Sequence, residues 1–149
     1  MESIIQKTLK ILLEKLAVEF DFISVTDEDG NYRANIETPH AGRLIGRHGE
    51  ILQALQILLK KILFAKNKEK IFVTIDVDGY QKNFDEKLIQ RVEKRIAEMT
   101  EKNLREISLL PMGPYERRIV HLHITKNFPN FLTESFGEKN SRSIKISRK

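Results

Sequence analysis

A chain of 149 residues, 40% of them hydrophobic, is long enough for one ordinary domain or two small ones and can bury real cores. It contains no cysteine, which excludes disulfides and thiol-held metals, and no apolar run approaches the roughly 20 residues of a membrane span. The net charge of +5 is unevenly placed: eleven basic residues stand against twelve acidic ones in 1–78, and fifteen against nine in 79–149, so the second half carries the excess and favours a polyanion as partner.

Ile5, Leu9, Leu12 and Leu16 recur at helical spacing and predict an amphipathic helix over residues 2–17. Two β-rich runs follow, about 20–26 and 31–37, and Asp29-Gly30 between them suits a tight hairpin turn. Pro39 opens a short helical segment to Ile45. After two glycines a longer helix is expected to bury Ile51, Leu55, Leu58 and Ile62. Ile71, Val73, Ile75 and Val77 alternate with more polar neighbours, as in a strand with one buried face. After Gly79 the pattern restarts. A long helix carries Leu88, Val92, Ile96 and Met99 inward, "EISLL" is a short strand, Pro114 opens a second helix, and "FLTESFG" and "SIKISRK" close the chain as strands. The orders are α-β-β-α-α-β and α-β-α-β-β, an α+β chain of two modules, 1–79 and 80–149.

The most informative stretch is "GRLIGRHGEIL", where Gly46-Arg47-His48-Gly49 joins two helices. A glycine stop followed by a fresh helix start would explain the glycines alone. The residues between them, however, are basic or able to become so, and the next helix aims its unpaired N–H groups and positive dipole end at whatever lies against the turn. Without side chains at 46 and 49, a sugar-phosphate backbone can come close. With the α-β-β-α-α-β order, "IGRHGEILQALQ" resembles a KH domain of the second, bacterial-type topology, whose Gly-x-x-Gly loop clamps about four nucleotides of a single strand. The resemblance implies that Gly46, Arg47, His48 and Gly49 form the clamp, that Ile45 packs beneath it, and that bases lie between the adjoining helix and the sheet edge.

In the second module Arg117 and His121, four apart on a helix, share a face and could grip one phosphate. The stretch "PMGPYERRIVH" resembles the Arg-x-x-x-His domain that binds single-stranded nucleic acids. The later "TESFGEKNSR" matches that domain's ending in the Jag, or SpoIIIJ-associated, family at Thr133, Ser135, Gly137, Glu138 and Arg142. Arg118 and Arg142 join Arg117 and His121 as implied binding residues. The two modules occur in this order in Jag proteins, so the expected fold is a type II KH domain followed by a small α/β domain with a three-stranded sheet. Jag proteins often carry a small extra domain ahead of the KH domain. This sequence starts at the first KH helix, and functions assigned to that domain are not carried over.

Catalysis is not expected. His121 and His123 are two apart on a helix and point about 200° from one another, so they do not share an ion. No clustered carboxylates, serine nucleophile or cofactor motif is present, which gives no metal and no cofactor. The resemblance implies a cytoplasmic bacterial regulator of RNA linked to cell elongation or division, without membrane insertion, that binds single-stranded RNA, with single-stranded DNA as the other strand type. The alternative is an interaction module docking on a ribosome component or a partner KH protein.

Overall fold

The computed structural model describes residues 1–149 as two compact units, Met1–Lys82 and Asn83–Lys149. The first contains helix α1 (Glu2–Lys15), strands β1 (Phe22–Glu28) and β2 (Asn31–Glu37), the short helix α2 (Ala41–Ile45), a 3-10 turn at Arg47–Gly49, helix α3 (Glu50–Asn67) and strand β3 (Phe72–Val77). Its sheet has the order β1-β2-β3, with the first pair antiparallel and the second parallel. The parallel pairing follows from the α2–α3 connection, which is long enough to cross over. Asp29 and Gly30 both take positive φ, 55° and 82°, so β1 and β2 pair up to Glu28 and Asn31, two residues beyond the expected end of β1. Helices α1 and α3 pack on the sheet around a core that includes Ile5, Leu9, Ile36, Leu59, Leu63 and Ile75.

Two expectations of side-chain direction are corrected. α3 buries Leu52, Leu55, Leu59 and Leu63, while Ile51 and Leu58 are 44% and 43% exposed and Ile62 is half-buried. The helix is apolar on two overlapping stripes, either of which satisfies the 3.6-residue period, and the sheet selects between them. In α1, Leu13 is buried in place of Leu16. Leu16 is the C-cap and Ala17 turns left-handed at φ 53°, which directs Leu16 outward to 51% exposure.

Helix α4 (Tyr80–Glu101) begins four residues before the expected "FDEKL" start, because the buried Asp76 carboxylate accepts the Gln81 and Lys82 N–H groups at 3.0 Å each. The division between the units falls inside its first turn. The second unit continues with β4 (Glu106–Ser108), α5 (Pro114–Asn127), β5 (Phe131–Phe136), a 3-10 turn at Lys139–Ser141 and β6 (Ser143–Arg148). The three strands form an antiparallel sheet of order β4-β6-β5. Leu88, Val92, Ile96 and Met99 are all buried, as the helical period predicts, against Ile107, Val120, Ile124, Ile144 and Ile146.

Buried Asp85 on α4 ties the two helices of this unit together: the Tyr115 hydroxyl lies 2.8 and 3.0 Å from its two carboxylate oxygens. Tyr115→Phe removes the hydrogen bond from a phenol to a buried carboxyl group. It is expected to destabilise the second unit by about 1–3 kcal/mol, read as a lower urea midpoint with an unchanged slope.

Candidate nucleic-acid interface

Thr38 sets up the glycine turn. Its hydroxyl donates to the Glu19 carbonyl at 2.6 Å and accepts the His40 N–H at 3.0 Å, and Leu44, 1% exposed, anchors α2 in the core. Gly46 ends α2 at φ 72°, ψ −171°, a region essentially restricted to glycine. His48 (φ 52°) and Gly49 (φ 78°) follow in left-handed conformations. Arg47 and His48 are exposed and Gly49 is buried. α3 starts at once from Gly49, with no side chain capping its first N–H groups. The turn is therefore an exposed helix start carrying a positive dipole end and a guanidinium, the arrangement that suits an anion.

Ile45 is half-buried against the core, while the residue lying directly against Gly46 is Ile51, whose Cγ1 is 2.6 Å from the position a Gly46 side chain would take. Between α3 and the open edge of β3, Gln56 donates to the Val73 carbonyl at 2.5 Å and accepts the Ile75 N–H at 2.6 Å. Part of the groove expected to receive bases is thus bridged by a side chain. Nothing in the pattern of apolar residues signals this.

In the second unit the Glu116 carboxylate reaches back to the Gly113 N–H at 2.8 Å and fixes the start of α5. Arg117 donates from Nη1 to the Met112 carbonyl at 2.7 Å, and the Met112 N–H donates to the Arg142 carbonyl at 3.1 Å. The Met112 backbone thus links the Arg117 side chain to the Arg142 main chain, while the Arg142 guanidinium donates to the Gly137 carbonyl at 3.1 Å. Arg118 is half-buried on the same helix. His121 is exposed and its Nδ1 meets the Thr133 hydroxyl on β5. Arg117 and His121 each bond a different neighbour within the fold. His123 turns elsewhere, to Glu93 at 2.9 Å.

The segment held by Arg117 and Ser143 borders an open cleft of about 510 Å³. Its walls include Leu110 and Met112 on one side and Arg91, Lys94 and Arg95 of α4 on the other. Leu110 is 81% exposed, and Arg95 is paired with Glu98 at 3.0 Å. The helical period marks these cations as a solvent face, but only the fold sets them beside this loop.

Residues 2–75 match the family model for the KhpA/KhpB KH domain, and residues 87–148 match that for the Arg-x-x-x-His domain. The RNA-binding protein KhpB of Bacillus subtilis (strain 168) is 31% identical over 143 residues, covering 95% of this chain and 67% of that protein. The chain belongs to the KhpB, or Jag, family. The KhpB protein of Clostridium symbiosum is 32% identical over 127 residues, covering 85% of this chain and 56% of that protein. That of Streptococcus pneumoniae serotype 2 (strain D39 / NCTC 7466) is 29% identical over 131 residues, covering 86% and 39%. This KhpB-family chain thus spans between 39% and 67% of the length of these relatives. No helix of it is long and apolar enough to cross a membrane.

Proposed function

We propose that the chain binds single-stranded RNA in the cytoplasm, as a binding protein without turnover, and that regulation of cell elongation or division rests on that binding. The observation that carries this reading is the Gly46 to Gly49 turn, which holds exposed Arg47 and His48 at a helix start with no side-chain cap. The matched relatives are named RNA-binding proteins, which supports the same class of partner. Arg47, His48 and the turn backbone hold phosphates in the first unit, while Arg117, Arg118, His121 and Arg142 serve the second. A titration of the intact chain against a fluorescein-labelled single strand across a salt series tests this. Affinity that falls steeply with salt supports it, and no binding at low salt overturns it.

Within this reading Arg91 and Lys94 add two phosphate contacts beside the cleft. Each neutralised phosphate contributes a slope of about −0.7 on a single strand, so losing both contacts in Arg91→Ala with Lys94→Ala is expected to flatten the salt dependence by about 1.4 units. The measurement is log affinity against log salt for the variant and the parent chain.

A second reading has its own support. Helix α3 leaves Ile57 and Phe64, seven apart and so on one face, at 57% and 55% exposure, and α1 leaves Ile11 at 47%; exposed apolar side chains of this kind suit docking on a partner KH protein. Loss of a partner on Phe64→Asp, with strand affinity unchanged, would favour it.

A further inference from the structure

Tyr80 lies beside the glycine turn although the sequence separates the two by 31 positions. The position a Gly49 side chain would occupy is 3.2 Å from the Tyr80 hydroxyl and 3.3 Å from its Cε1, so the phenol edge rests against the last residue of the turn. Tyr80 is held there from two sides. Its ring packs half-buried against the core of the first unit, and the two residues after it donate their N–H groups to the buried Asp76 carboxylate. Arg33 approaches that carboxylate at 3.8 Å and adds to the anchoring.

The hydroxyl itself makes no hydrogen bond within the protein, and it is not among the buried polar atoms lacking a partner. It is therefore an open polar atom on a fixed ring, next to a turn suited to phosphates. A phenol is neutral near pH 7 and can donate, and phosphate oxygens only accept. The half-buried ring turns its edge and its O–H toward the turn, and these are the groups it offers there.

We propose that Tyr80 binds the strand directly, its hydroxyl donating to a sugar-phosphate oxygen of the nucleotide seated at the Gly49 end of the turn. This rests on the reading of Gly46 to Gly49 as the strand-holding turn. It adds a contact from outside that motif, made by the residue that starts α4. The contact is neutral, so it contributes affinity without contributing to the salt slope.

The test uses the intact chain with Tyr80→Phe, which keeps the ring and deletes one oxygen, alongside the double variant Arg47→Asp, His48→Asp. The probe is a fluorescein-labelled single-stranded RNA, with thermal unfolding and the amide resonances of Gly46 to Glu50 recorded on the free proteins. The expected result for Tyr80→Phe is about three- to tenfold weaker binding, with the salt slope, unfolding temperature and turn resonances of the parent. Undiminished affinity in Tyr80→Phe, when the double aspartate variant has lost binding, overturns the proposal and leaves the turn reading intact. If neither variant loses affinity, the turn reading fails and the proposal with it. Weaker binding accompanied by displaced turn resonances also overturns it, because Tyr80 would then act by shaping the turn.

Discussion

Replacing Arg47 and His48 together by aspartate is expected to weaken strand binding roughly seventyfold at low salt. One unit charge about 5 Å from a phosphate in water is worth about 0.8 kcal/mol, so reversing the arginine and charging the histidine removes about 2.5 kcal/mol. The backbone should tolerate the change. Arg47 is not left-handed, and His48, at φ 52°, occupies the region in which aspartate is the best tolerated non-glycine residue along with asparagine. Both side chains are exposed, so neither replacement opens a cavity. The check is an anisotropy titration paired with a circular dichroism melt. Parent-like affinity at low salt in a variant with the parent's melt would remove the turn from the binding surface.

The second large effect is on stability. Gly46→Ala is expected to cost about 2–4 kcal/mol, because alanine at φ 72°, ψ −171° is strained and its Cβ would lie 2.6 Å from Ile51 Cγ1 and 3.1 Å from Ile51 Cβ. Rotation of Ile51 can carry Cγ1 and Cδ1 aside, but its Cβ, the branch point, stays 3.1 Å from the new methyl, and the backbone strain at φ 72° remains whatever Ile51 does. Gly42→Ala is the matched control. A side chain there meets nothing within 4 Å, the residue is helical, and the substitution should be neutral or stabilising by up to about 1 kcal/mol. Urea unfolding of the two variants decides the matter: equal midpoints would show that Gly46 is not needed for its geometry.

Several features of the fold are legible along the chain because they depend on near neighbours. Asp29-Gly30 supplies a two-residue hairpin by its own backbone preference. The inward set of α4, Leu88 to Met99, follows from a helix apolar on one stripe only. The glycine turn is visible for the same reason, since its spacing and its two flanking helices are all within about 25 residues. α3 shows where this stops. Ile51 and Leu52, or Leu58 and Leu59, serve a helical stripe equally well, and the choice between them is made by where β2 and β3 present their inner faces.

The candidate site divides along the same line. Candidates for holding a polyanion can be read along the chain: Gly46 to Gly49 at a helix start, Arg117 and His121 on one helix, and a surplus of cations after residue 79. Residue type and local spacing settle those. What each of them touches follows from the folded arrangement alone. It placed the Tyr80 hydroxyl against Gly49, Ile51 over Gly46, Gln56 across to β3, the Arg117 guanidinium on the Met112 carbonyl and the Arg142 carbonyl on the Met112 N–H. Each of these is a single polar or steric contact between segments that sheet pairing and core burial bring together. Hydrophobic periodicity carries no information about which isolated atoms end up adjacent, because one contact leaves no repeating trace along the chain.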